Sequence, residues 1–206
     1  MRKLLPAAIA GLVCLLCASA AFAVTRNGTD VGDRLFGTTG ADTINAKGGQ
    51  DTVFGLGGDD VLRGGSGHDT MHGDATCPAG STDPDRCNQM RGTGDDKLFG
   101  DAGDDSMAGG NGDDLVSGGT GDDNVQGGAG RDNIIGGAGN DSLFGQGSGD
   151  RITPGAGRDV VDGGSGNDTV LARDGTRDVI DCGSGRDKAT VDRIDRVKNC
   201  ERVARR

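Results

Sequence analysis

One nine-residue pattern, Gly-Gly-x-Gly-x-Asp-x-apolar-x, runs nine times without a gap from Arg91 to Leu171. Asp holds the sixth place in each unit, at Asp96, Asp105, Asp114, Asp123, Asp132, Asp141, Asp150, Asp159 and Asp168. The eighth place is apolar in each, at Leu98, Met107, Val116, Val125, Ile134, Leu143, Ile152, Val161 and Val170. So short and fixed a period makes the chain an array of stacked units, each able to bury its one aliphatic residue only against its neighbours. An earlier block keeps the same frame over five units, from Gly28 to His72. Its sixth places are Asp33, Asp42, Asp51, Asp60 and Asp69, and its eighth places Leu35, Ile44, Val53, Leu62 and Met71. Its second place is poor in Gly: Thr29, Thr38, Lys47 and Leu56 stand there, and only Gly65 fits.

Within a unit, Gly at places one, two and four opens backbone angles closed to other residues, so the first six residues are expected to turn tightly. The last three form a short strand whose middle side chain points to the core while its neighbours point out. Two units make a coil of 18 residues, and coils stack into parallel sheets on two faces. The fold class expected is all-β. A content of 42 Gly without Trp or Tyr would otherwise suggest disorder, but disordered linkers have no reason to keep an aliphatic residue every ninth position.

Stacking the turns also stacks the carboxylates, about one strand spacing, roughly 5 Å, apart. Such a row repels itself unless cations lie within it. Carbonyl and carboxylate oxygens in a flexible loop suit Ca²⁺ better than Zn²⁺ or copper. One buried side chain per nine ordered residues is a thin core, so folding is expected to depend on the metal.

The start of the chain reads as a leader. Arg2 and Lys3 precede an apolar run from Leu4 to Ala18 and small residues ending at Ala23, the pattern of a secretory signal peptide over residues 1–23. No other apolar stretch is long enough to span a bilayer. The net charge of −10 becomes more negative without Arg2 and Lys3, and every acid except Glu201 is Asp. That balance excludes nucleic acid as a partner. Four cysteines follow the leader, an even number in an exported chain. Local pairing, Cys77 with Cys87 and Cys182 with Cys200, is the simplest of three connectivities. Residues 73–90 interrupt the array over two periods, so the frame survives. Their Pro, Gly and Asp read as a loop, either a replacement coil or a bulge. The frame slips by one residue at Ala172, and two degenerate units follow with Asp178/Ile180 and Asp187/Ala189. Residues 172–206 are expected to end in a cap over Asp181 to Val203, since an array needs an atypical end.

Units such as Gly109-Gly110-Asn111-Gly112-Asp113-Asp114-Leu115-Val116-Ser117 and Gly136-Gly137-Ala138-Gly139-Asn140-Asp141-Ser142-Leu143-Phe144 resemble the RTX, or hemolysin-type, calcium-binding nonapeptide over about 28–190. The resemblance implies a parallel β-roll, a right-handed β-solenoid with several Ca²⁺ held between successive turns. Carried over, the ligands are Asp60, Asp69, Asp96, Asp105, Asp114, Asp123, Asp132, Asp141, Asp150, Asp159 and Asp168, with turn carbonyls. Asp33, Asp42 and Asp51 are weaker ligands because their turns lack second-place Gly, and Ser148 and Pro154 depart from the pattern. Many proteins of this family carry a C-terminal export signal and an enzymatic or toxin domain. This chain is expected instead to have its N-terminal leader and no room for a second domain.

Other residues carry less. His68 and His72 fall at the fifth and ninth places of one unit and read as solvent-facing rather than as a zinc pair. Fifth-place Asp59, Asp95, Asp104, Asp113 and Asp122 double the carboxylates of their turns, as outer-shell charge or as solvated charge. Phe36, Phe54, Phe99 and Phe144 all sit at ninth places, where they pack along the roll or offer a patch to a partner. Arg202, Arg205 and Arg206 read as a solvated tail. No Gly-x-Ser-x-Gly elbow or other catalytic constellation is present. The sequence therefore points to a secreted, bacterial, non-catalytic Ca²⁺-binding protein. The rival readings are an extracellular scaffold that binds a cell surface or polysaccharide and, more remotely, a hydrolase.

Overall fold

The structure, a computed structural model, describes residues 23–74 and 93–205. The leader and the Cys77–Cys87 pairing expected above fall on residues 1–22 and 75–92, outside the described residues.

The nonapeptides alternate between two sheets in which every pairing is parallel. One sheet stacks, in order, Thr25–Asn27, Thr43–Asn45, Val61–Ser66, Lys97–Ala102, Leu115–Thr120, Asn133–Ala138, Arg151–Ala156, Thr169–Ala172, Lys188–Val191 and Arg202–Arg205. The other stacks Arg34–Phe36, Thr52–Phe54, Thr70–His72, Ser106–Asn111, Asn124–Ala129, Ser142–Gly147, Val160–Asp162, Val179–Asp181 and Arg196–Lys198, with the short Ser165–Gly166 and Ser184–Gly185 beside them. Register follows the period: Ile134 lies opposite Val116 on one side and Ile152 on the other. The eighth-place side chains fill the space between the sheets, and from Ile44 to Ile180 each is at most 2% exposed. Leu35 and Val197 lie half-covered against this column.

The strands are longer than a three-residue reading predicts. In the middle of the array they run six residues, through the third place of the next unit, as in Asn124–Ala129. The reason is a bend that does not end pairing. Gly128, at the second place, has φ +126°, after which Ala129 pairs again with Asn111 and Gly147. A Cβ on Gly128 would run into the Gly110 carbonyl of the coil below. Only places four to six are left to turn the chain.

No described coil lies between the strands on either side of residues 75–92. Val61–Ser66 pairs directly with Lys97–Ala102, and Thr70–His72 with Ser106–Asn111, so the neighbour lies 36 residues on rather than 18. The interruption falls inside a turn. The Gly73 and Asp74 N–H groups donate to the Ala108 and Gly109 carbonyls, and the Gly94 N–H donates to Asn111. Gly73 and Asp74 thus take the first and second places of the turn that ends at Asp96.

Past Leu171 the extra residue is absorbed by a 19-residue coil, with Thr169 opposite Lys188 and Ala172 buried. The segment expected as a cap still coils. Arg196–Lys198 pairs with Val179–Asp181, and Arg202–Arg205 pairs with Lys188–Val191. Cys182 and Cys200 are bonded, with Cα atoms 5.2 Å apart. The array ends in a shortened coil tied by a disulfide, and all four residues of its last strand are exposed.

Candidate metal centre

The sixth-place Asp sits where the turn re-enters a strand, and the core position two residues on directs its side chain inward under the turn. All eleven candidate ligands, from Asp60 to Asp168, are no more than 3% exposed. They form two parallel ladders with a fixed polarity: each Asp donates its own N–H to the Oδ1 of the sixth-place Asp one coil on. In one ladder Asp33, Asp51, Asp69, Asp105, Asp123, Asp141 and Asp159 donate in turn, at 2.7–3.0 Å. In the other Asp42, Asp60, Asp96, Asp114, Asp132 and Asp150 do so, at 2.7–2.9 Å. The ladders run past the candidate set. Asp159 reaches Asp178 and Asp178 reaches Asp195, while Asp168 reaches Asp187 and Asp187 reaches Glu201 Oε2. Asp195 and Glu201 lie outside the nonapeptide frame, so no sequence signal marked them.

The two carboxylate oxygens thus have different lives. Oδ1 is committed to the neighbouring coil. Oδ2 of Asp51, Asp60, Asp69, Asp96, Asp105, Asp114, Asp123, Asp132, Asp141, Asp150, Asp159, Asp168, Asp178 and Asp187 is buried with no hydrogen-bond partner. In a typical turn, Asp123 Oδ2 and the Gly136 carbonyl both crowd the spot where a Cβ on Gly118 would sit. A buried charge without a partner is costly, and it must take up a proton or a cation. Burial accordingly pushes these carboxyl groups up, with neighbouring Asp charges adding to it and the N–H bond opposing it. Asp96 rises to about 8, Asp60, Asp123, Asp132, Asp150 and Asp178 to about 7, and Asp105, Asp114, Asp141 and Asp168 to about 6. Asp51, Asp69, Asp159 and Asp187 shift the same way.

Asp42 and Asp51, weaker candidates by sequence, are as deeply buried as the rest, whereas Asp33 is half-exposed. Lys47 and Leu56 replace the second-place Gly yet adopt φ +81° and +89°. Thr29 and Thr38 are absent from that left-handed set; their N–H groups donate to Oδ2 of Asp33 and Asp42, giving the oxygen a partner from its own turn. Ser148 follows the turn at φ +73°, and the Asp141 N–H bonded to Asp159 Oδ1 shows the ladder intact at the turn that Pro154 begins.

Fifth-place Asp residues form an exposed ladder of opposite polarity, in which Asp95 Oδ1 accepts the Asp113 N–H and Asp104 Oδ1 the Asp122 N–H, both at 2.8 Å. His68 sits beside Asp104 at 3.7 Å. His72 is not solvent-facing: its ring stacks on Phe54, which stacks on Phe36, with centroids 5.1 and 5.2 Å apart. Burial pushes His72 below the usual histidine range. Phe99 lies under the Arg63 guanidinium, 4.4 Å from the ring centroid.

Among the described residues no three Asp, Glu, His or Cys side chains converge as a metal cage. A cation in these turns must take backbone oxygens as well as carboxylates. The donor set fits: it is all oxygen, it carries one unpartnered carboxylate oxygen per turn, and carbonyls of the adjacent coil crowd the same turn. That composition suits Ca²⁺.

No curated protein matches the chain. The RTX calcium-binding nonapeptide repeat matches at residues 27–62, 46–75, 92–116, 117–152, 144–177 and 155–189, well over half of the sequence. With its parallel two-sheet solenoid and its ladders of sixth-place Asp, the chain belongs to the family of RTX calcium-binding nonapeptide repeats.

Proposed function

We propose that this is a secreted, non-catalytic protein whose roll folds on binding several Ca²⁺ ions between its stacked turns. The observation that carries the reading is the file of buried, unpartnered Oδ2 atoms along both ladders. Asp60, Asp69, Asp96, Asp105, Asp114, Asp123, Asp132, Asp141, Asp150, Asp159 and Asp168 would hold the ions, together with carbonyl oxygens of the turns. The bound metal supplies positive charge that offsets the repulsion along each row. The chain supplies the rest: N–H groups that fix Oδ1, and second- and fourth-place residues that let adjacent coils approach. The buried carboxylates are already engaged in the ladders, which supports a structural rather than a catalytic role.

Export agrees with this chemistry. Ca²⁺ sites of extracellular modules work at about 10⁻⁴–10⁻³ M, so folding would follow secretion, and the Cys182–Cys200 bond suits an oxidising compartment. The scaffold reading gains little from the aromatic column, because both faces of Phe54 are taken by Phe36 and His72.

A Ca²⁺ titration followed by circular dichroism and calorimetry tests the proposal. The expected result is β-sheet signal that appears with Ca²⁺, disappears in chelator and does not appear with equal Mg²⁺. Full β-sheet signal in chelator would overturn folding on binding, and equal folding by Mg²⁺ would overturn the selectivity.

A further inference from the structure

Asp74 is a buried carboxylate beside the ladders that holds no sixth place of the nonapeptide and accepts no ladder bond. It stands at a second place, stacked between Leu56 and Gly110: the Leu56 N–H donates to the Gly73 carbonyl, and the Asp74 N–H to the Gly109 carbonyl. Its side chain is 1% exposed. Oδ2 accepts the Asn111 N–H at 3.1 Å, and Oδ1 is buried with no partner. The turn it belongs to ends at Asp96. Gly73, next to Asp74, holds the first-place position against Asp96 Oδ2 that Gly118 holds against Asp123 Oδ2. Asp96 Oδ2 is also buried and unpartnered. Asp74 is close enough that its charge acts on Asp60, Asp96 and Asp114 alike. This turn therefore carries two bare, buried carboxylate oxygens where an ordinary turn carries one. It is also the turn that residues 75–92 interrupt in the sequence.

Resting on the calcium reading above, we propose that Asp74 completes a divalent-cation site outside the nonapeptide pattern, in which Asp74 Oδ1 joins Asp96 Oδ2 and turn carbonyls at the root of the 75–92 segment. Two carboxylates balance the charge of one Ca²⁺, and His72, two residues away in sequence, is stacked on Phe54. Ligand charge tunes Ca²⁺ affinity over orders of magnitude, so this is the tightest site of the array. Its ion joins Asp74 and Asp96, which stand on either side of residues 75–92 in the sequence.

Calorimetric titration with calcium chloride on the mature full-length chain tests this, with Asp74→Asn, Asp74→Gly and Asp168→Asn as variants. Asp74→Asn keeps an acceptor for the Asn111 N–H, and Asp74→Gly restores the second-place residue of the repeat, so at least one variant retains the fold seen by circular dichroism. The expected result is that the Asp74 variants lose or weaken, by about tenfold or more, the tightest binding class. Asp168→Asn leaves that class intact. Isotherms of the Asp74 variants that superimpose on wild type overturn the inference while leaving the repeat sites standing. A wild-type chain that binds no Ca²⁺ overturns both. A wild-type chain that binds a single ion, lost in both Asp74 variants, removes the repeat reading and keeps this one.

Discussion

The first two turns and the turns of the central array use the same Asp for different ends. In the turn from Thr29 to Asp33, the Thr29 N–H and hydroxyl both donate to Asp33 Oδ2, at 2.6 and 2.9 Å. The turn from Thr38 to Asp42 closes the same way, through the Thr38 N–H. These are self-closed turns of the kind that Asp and Thr make wherever a chain must reverse. In the central turns the second-place residue swings to positive φ, as Gly128 does at +126°, and leaves Oδ2 of Asp132 with no donor. Between these two sets of turns, a backbone choice at one residue, four positions before the carboxylate, separates a carboxylate satisfied within its turn from one left for a cation. The ladder bond through Oδ1 is common to both kinds of turn, so it cannot be the feature that separates them.

The comparison is broken most sharply by paired substitutions. Asp132→Asn keeps an acceptor for the Asp114 N–H but removes the charge at the bare oxygen. It is expected to lower Ca²⁺ stoichiometry, and at a Ca²⁺ concentration one hundred times the dissociation constant of the site it forfeits about 2.7 kcal/mol of stability. Asp33→Asn is expected to cost no bound ion and about 1 kcal/mol or less, the scale of a lost turn or cap bond. Equilibrium unfolding at fixed Ca²⁺ measures both, and equal losses would mean that the two kinds of turn do not differ in metal binding.

Acidity gives a test of intermediate size. The unfolded carboxyls titrate near 3.8, while in the cation-free roll those of Asp96, Asp132 and Asp150 titrate at about 7–8. The folded state then binds more protons than the unfolded one between these limits, so stability falls as pH rises. Whatever metal-free roll exists is stabilised below about pH 4 and loses that stability as pH climbs through 6–8. Ca²⁺ affinity runs the other way and rises over the same window, because the metal needs the deprotonated carboxylate. Chelator-treated protein followed by circular dichroism from pH 4 to 8 should lose residual β signal, and calorimetry in buffers of differing ionisation heat should register proton release on Ca²⁺ binding. β signal in chelator that grows with pH would refute the buried, bare state of these oxygens.

The smallest effect sharpens the comparison from the other side. Thr38→Gly should free Asp42 Oδ2 by letting the second place adopt the central-array conformation. The expected outcome is one additional bound ion and a change of less than about 1 kcal/mol in Ca²⁺-loaded stability, since removing a turn bond opposes gaining a weak site. Unchanged stoichiometry would mean that the Thr side chain is not what withholds this turn from the metal.

Much of this molecule was determined by the sequence alone, because its contacts repeat at the period of the pattern. A residue whose neighbours lie 18 before and 18 after meets its own equivalents, so Ile134 between Val116 and Ile152 could be foreseen without coordinates. The slip at Ala172 was legible for the same reason, as a departure from a known frame, whereas the pairing of Cys182 with Cys200 was only the simplest of three connectivities until the fold brought the two together. What only the tertiary structure decided lies where a group's role depends on the backbone of another coil. The division of each carboxylate into a bonded Oδ1 and a bare Oδ2 is set by an N–H that the pattern does not write down. The six-residue strands follow from a bend that leaves pairing intact. Glu201 ends one ladder although neither its type nor its spacing fits the repeat. Asp74 enters a turn only because residues 36 apart come into register across the interruption, an adjacency the nine-residue period cannot specify.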